Sequence, residues 1–222
     1  MNQSYWELFL NSLWPLVHGA ITGTIPLAVV SFAIGLVLAL ALALMRLSRQ
    51  KWLSAIARAY ISIVRGTPLL VQLYVIFYGL PSIGVVIDPW PSAVVAFSVN
   101  VGGYAAEVIR AAILSVPKGQ WEAAYMIGMS HRRALTRIIL PQAARVSVPP
   151  LSNTFISLVK DTSLASLILV TDLFREAQQV AAFSQQFMLL YLEAALVYWV
   201  ICLGLSSVQG SLEKRLDRYV AH

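Results

Sequence analysis

Two intervals hold side chains able to bind a small charged molecule inside otherwise apolar surroundings. Asn100, Tyr104 and Glu107 recur at helical spacings of four and three, so an amide, a phenol and a carboxylate share one helix face, which Arg110 continues. Lys160 and Asp161, followed by Thr162 and Ser163, set an ammonium beside a carboxylate. Lys160 could receive a ligand carboxylate; Asp161, or Asn100 with Glu107, could receive an ammonium; such opposed charges suit a zwitterion. The spacing equally allows Glu107 and Arg110 to neutralise each other and Lys160–Asp161 to brace two helices. Ionisable groups are costly in an apolar segment, which makes all of them functional candidates. A third interval, Arg65-Gly66-Thr67-Pro68-Leu69-Leu70-Val71-Gln72, contains a break: Pro68 removes a backbone donor and frees carbonyls in the preceding turn. In lipid such a break needs protein or a cavity to satisfy it. Thr67 and Gln72 then flank either a solute path or an interfacial kink with Arg65 snorkelling inward.

Other chemistries are missing. There is no G-x-x-x-x-G-K-[ST] phosphate loop, so the chain does not hydrolyse ATP by that route. His18, His131 and His222 form no ligand set with carboxylates, and no Gly-x-Ser-x-Gly elbow occurs. No metal site and no catalytic residue is expected. Cys202, the single cysteine, lies in an apolar run and reads as a buried inert thiol.

The elements that must position these residues are membrane spans. The chain has 222 residues, 59% hydrophobic and only 12% charged, with mean hydropathy +0.74. Soluble proteins carry about 25% charged residues. The net charge of +6 falls in short loops without an aromatic-interleaved patch, which excludes nucleic acid as a partner and fits cytoplasmic positive charge. Residues 25–45 carry no charge and, at about 1.5 Å per residue, match the hydrocarbon thickness. A basic loop with Arg46, Arg49, Lys51 and Arg58 follows. Further spans are expected at about 57–80, 92–114, 144–170 and 188–208, with a polar outer segment at 171–187 and a basic end bearing Lys214, Arg215 and Arg218. The expected fold is all-α and transmembrane, one domain over 1–222, with about five spans, the N-terminus outside and the C-terminus cytoplasmic. No Lys or Arg occurs in the first twenty residues, so a cleavable leader is not expected. Trp6, Trp14, Trp52, Trp90 and Trp121 fall near expected interfaces. Glu193 is expected at the outer interface, and the Gly19/Gly23 pair precedes Pro26, which weakens it as a helix-association motif.

Residues 118–141 form the most polar long interval. Lys118-Gly119-Gln120 is expected to end the preceding helix, a short helix to run through Ile127, Gly128 to stop it, and Ser130 to cap a second helix reaching about Leu140. Arg132, Arg133 and Arg137 would each cost about 2.5–3.5 kcal/mol at the bilayer centre, so this unit belongs in water or in a partner's groove on the cytoplasmic side.

The spacing of Glu122, Ala123, Ala124, Gly128, Ile138, Leu140 and Pro141 resembles the EAA coupling loop of ABC importer permeases. The strings RGTPLLVQLYVIFYGLP and SLVKDTSL are similar to those of the polar amino-acid branch (histidine, glutamine, arginine and cystine type), and GQWEAA, ILPQAARV and PPLSN resemble cystine-type members. The resemblance implies a type I importer core in a bacterial inner membrane, and a permease that takes up a cystine-like, basic or glutamine-like amino acid. It further implies a second permease subunit, identical or sister, and an extracytoplasmic substrate-binding protein. A cytoplasmic ABC ATPase dimer would carry ATP and Mg. Glu122, Ala123, Ala124, Gly128 and Pro141 would be coupling residues; Thr67, Gln72, Asn100, Tyr104, Glu107, Lys160 and Asp161 would face the substrate. Val101-Gly102-Gly103 departs from the small hydroxylated or alanine residues expected after Asn100, and Pro26 interrupts the first span. The competing reading is a stand-alone secondary transporter or channel for a small zwitterion, which would ordinarily show two repeated halves; five spans do not divide so.

Overall fold

The computed structural model describes residues 5–217; residues 1–4 and 218–222, with Arg218 and His222, lie outside the described residues. Apolar side chains without turn residues make long helices, and prolines decide where those helices change pitch. The helices are α1 (Tyr5–Gly19), α2 (Ile25–Leu47), α3 (Lys51–Gly66), α4 (Leu69–Tyr74) and α5 (Pro89–Ser115). They continue with α6 (Lys118–Met126), α7 (His131–Ala134), α8 (Leu140–Asp161), α9 (Leu173–Ser184) and α10 (Phe187–Asp217). No strand occurs among the described residues.

Among the described residues, three helices are long and apolar enough to cross a membrane, and five spans result if each of two bent pairs counts as one. α1 and α2 run on as a 43-residue helix, about 64 Å at 1.5 Å per residue, so a single bilayer crossing uses about half of it. The second span is no straight helix over 57–80: α3 and the segment Leu69–Ile83 meet at 105°. The cause is Thr67-Pro68, both extended (ψ 144° and 137°), since a proline excludes its predecessor from the helical region. The fourth span begins earlier than hydropathy suggests, at His131, and passes through Ile168 before a 50° bend into α9. The outer segment at 171–187 is therefore largely helical.

Among the described residues, three wide, π-type turns interrupt the helices at Ala20–Thr24, Val75–Gly79 and Leu135–Ile139. Each ends two residues before a proline: Pro26, Pro81 and Pro141. A proline ring collides with the carbonyl four residues earlier and cannot donate to it, and the extra residue in the wide turn moves that carbonyl aside. Pro26 and Pro141 thus sit inside continuous helical runs, and the second helix of the 118–141 interval continues past Leu140 to Asp161.

The main core joins α2, α3, α5 and α8 around Leu27, Phe97 and Val159, all essentially solvent-free. Gly102 and Gly103 let helices approach: an added Cβ would lie 2.7 Å from Leu38 Cδ2 and 2.7 Å from Val64 Cγ1 respectively. The unusual Val101-Gly102-Gly103 string is therefore a packing solution. A second core packs α1 against α9 and α10 through Leu16, Leu173 and Val197. Here Gly19 and Gly23 form a tight seat after all, because a Cβ on Gly23 would lie 2.2 Å from the Thr171 carbonyl oxygen. Asp172 caps α9, accepting from the Arg175 amide at 2.8 Å and from the Tyr198 hydroxyl at 3.2 Å. Glu193 is 2% exposed rather than interfacial, and its Oε2 accepts from Ser12 Oγ at 2.6 Å. Cys202 is half-buried.

Candidate functional site

The first region of interest is the break at Pro68. Gln72, one turn into the helix beyond it, turns its amide back across the gap, donating to the Val64 carbonyl (2.8 Å), the Thr67 carbonyl (3.2 Å) and Thr67 Oγ1 (2.9 Å). The carbonyls freed by the proline are thereby satisfied internally, as an apolar environment requires. Gln72 Oε1 in turn accepts from Asn100 Nδ2 at 3.2 Å, tying the break to α5. This leaves the Asn100 carbonyl oxygen to accept from a ligand.

Beside this clamp opens a cavity of about 500 Å³. Thr67 and Pro68 enter from the break, Asn100 and Tyr104 from α5, and Asn153, Ser157 and Asp161 from α8. The α8 residues recur every four positions and so form one polar stripe. Arg65 lies over the Tyr104 ring, its Cζ 5.4 Å from the centroid. A guanidinium thus stands beside a cavity whose other wall carries a carboxylate. Sequence reasoning took Arg65 only as a snorkelling residue at an interfacial kink, and it missed Asn153 and Ser157, which form a stripe with Asp161; their period of four was the signal available.

Three residues expected at the substrate do not line the cavity: Gln72 is spent on the clamp, and two others stand elsewhere. Glu107 is held by Arg110 Nη2 at 2.8 Å and by Arg46 Nε at 3.4 Å, an ionic tie between α2 and α5. Lys160 is exposed and lines no wall of the cavity, and it makes no ion pair with Asp161 among the described residues.

The second region is the hairpin of α6 and α7. The chain leaves α5 at Val116-Pro117, and Lys118-Gly119-Gln120 is the first turn of α6 rather than the break, because Pro117 excludes its predecessor Val116 (ψ 127°) from the helical region before Lys118 is reached. Gly128 ends α6 at φ 77°, where a side chain would strain. Its amide donates to the Tyr125 carbonyl (2.9 Å) and that of Met129 to the Ala124 carbonyl (3.0 Å), the paired bonds of a Schellman turn. Ser130 precedes α7 in extended conformation, but its side chain makes no capping bond. The Trp121 ring stacks on His131 at 5.1 Å, and the His131 Nδ1 pairs with the Tyr125 hydroxyl at 2.8 Å. Ala124 is buried; Glu122 and Ala123 are exposed, and at the tip Met126 is 87% and Ile127 75% exposed. Pro141, exposed, follows the wide turn that joins this hairpin to α8.

A helical bundle with a broken helix over a polar cavity and an apolar-tipped hairpin beyond its basic end is the architecture of a membrane transport subunit. Residues 31–218 match the binding-protein-dependent transport system inner membrane component family, and the chain belongs to it. It is similar to the L-cystine transport system permease protein TcyB of Bacillus subtilis (strain 168), with 59% identity over 97% of this chain and 93% of that one. The probable glutamine ABC transporter permease protein GlnM of the same organism is 37% identical over 88% and 90%. A solved structure of an amino acid ABC transporter with histidines superposes with a TM-score of 0.89 at 34% identity, over 97% of this chain and 100% of that chain. The chain is thus an inner-membrane permease subunit of an ABC importer with the type I fold.

Proposed function

We propose that this permease forms half of the path of an ATP-driven importer for a polar, zwitterionic amino acid, with cystine-type substrates first among them. The observation that carries the reading is the cavity where Thr67, Asn100, Tyr104 and Asp161 meet beside Arg65. Asp161 and the Asn100 carbonyl oxygen receive the ammonium group, and Arg65 receives the α-carboxylate in place of Lys160. The high identity to a cystine permease supports the substrate class.

An extracytoplasmic binding protein delivers the amino acid. A second permease subunit completes the path, and ATP with Mg is bound and hydrolysed by a cytoplasmic ATPase dimer. That ATPase docks on α6 through Glu122, Ala123 and the apolar tip, with Ala124 anchoring the helix from behind and Gly128 fixing its end. From His131 the chain is helical without a gap to Asp161, about 46 Å at 1.5 Å per residue, so a push on the hairpin travels along one rod to the cavity wall. Pro141, accommodated by the wide turn, keeps that rod unbroken.

The test is uptake by the complete complex in proteoliposomes. Asp161→Asn and Arg65→Gln are each expected to depress uptake of radiolabelled cystine while the ATPase still co-purifies. Unchanged uptake in both variants would refute the site.

A further inference from the structure

Between the basic ends of the spans and the hairpin lies a recess of about 730 Å³ that neither the cavity nor the hairpin tip uses. Its floor is apolar, with Leu44 and Leu47 from α2, Ile113 and Val116 from α5, and Leu135 beyond α7. Its rim is cationic, with Arg49 and Lys118. No carboxylate lines it, and none occurs anywhere between Glu7 and Asp88. Arg49 also borders a neighbouring groove of about 690 Å³ with Lys51 and Arg58 and the hydroxyl residues Ser54 and Ser62. Arg49, Lys51, Arg58 and Lys118 make no ion pair among the described residues. On the adjoining side of α3, Trp52, Ile56 and Ile63 are exposed, an apolar face suited to acyl chains.

An apolar recess with an unpaired cationic rim, at the depth where basic residues mark the membrane surface, matches an amphiphile that carries a negative head. We propose that it binds an anionic phospholipid of the cytoplasmic leaflet, acyl chain against Leu44, Leu47 and Ile113, phosphate at Arg49 and Lys118. The ATPase is the less suitable occupant. At about 100° per residue, Lys118 and Trp121 lie on the side of α6 turned to the recess, whereas Ala123 lies on the opposite side and Met126 about a right angle away; Glu122, one turn after Lys118, flanks the recess without lining it. Since the walls belong both to the spans and, through Trp121 and His131, to the hairpin, a seated lipid holds the hairpin against the bundle and conditions its coupling.

The test is native mass spectrometry of the intact complex purified from vesicles of phosphatidylcholine mixed with phosphatidylglycerol, a reading that does not depend on transport or on the substrate. Wild type is expected to retain phosphatidylglycerol in preference. Arg49→Glu with Lys118→Glu is expected to lower that retention by about fivefold per cation, and Arg49→Lys to preserve it. In nanodiscs, phosphatidylglycerol is expected to raise substrate-stimulated ATPase activity of wild type but not of the double variant. Equal retention of both lipids by wild type overturns the proposal. So does retention unchanged in the double variant, and loss of the ATPase from that variant with lipid retention intact would assign the recess to the ATPase.

Discussion

The hairpin of α6 and α7 and the cavity at Pro68 are built in opposite ways. The hairpin is local: Trp121, Tyr125, Gly128 and His131 bond or stack within about three turns of chain, and its end is closed by backbone bonds from Gly128 and Met129. The cavity is assembled from Thr67, Asn100 and Asp161, separated by whole helices, and holds its shape through the Gln72 amide. A local unit can be disabled without disturbing the bundle, whereas a dispersed one fails by degrees as single contacts are lost.

That contrast can be broken by substitution. Gly128→Pro has the largest expected effect, since proline cannot take φ 77° and would delete the 2.9 Å bond to the Tyr125 carbonyl. Uptake should fall to background and the ATPase should fail to co-purify, while membrane insertion stays normal; retained docking would mean that the hairpin is not the docking unit. Asp161→Asn is expected to reduce uptake about tenfold to a hundredfold, the worth of one bond to a charged group, with ATPase docking unchanged. Gln72→Leu leaves the Val64 and Thr67 carbonyls without their donor, and a loss of about 1–3 kcal/mol in thermal or denaturant stability of the purified complex should follow. Tyr125→Phe removes one exposed bond to His131 and should cost about 1 kcal/mol or less, read as a small drop in ATPase affinity with uptake otherwise preserved. A large effect there would show the stack to be more than a local brace.

The same contrast explains what the sequence disclosed. The helix–turn–helix of residues 118–141 was legible because its instruction is local: glycine for a left-handed turn at Gly128. A helical membrane fold, with three spans or five when each bent pair counts as one, was legible from apolar length. Across the cavity, Asn100, Tyr104 and Asp161 were found because polar groups are rare in spans, yet Glu107 and Lys160 looked equally good. Only packing reveals that Arg46 and Arg110 engage the first and that the second lies off the lining. The break at Pro68 was read from the proline, but its size, 105°, was hidden by continuous hydropathy on both sides, and the Gly19/Gly23 seat was hidden by a partner, Thr171, that lies far along the chain.

The wide turns at Ala20–Thr24, Val75–Gly79 and Leu135–Ile139 also change how this chain must be drawn on a helical wheel. Each inserts one residue into the winding and so rotates everything beyond it by about 100° relative to an unbroken helix. Faces deduced by counting through 20–24 or 135–139 are therefore assigned to the wrong compass bearing. Deleting a single residue from Leu135–Ile139 would take out that extra residue and leave the hairpin on the same bearing, but it would set Pro141 against the carbonyl four residues before it, so the deletion should kink the helix there.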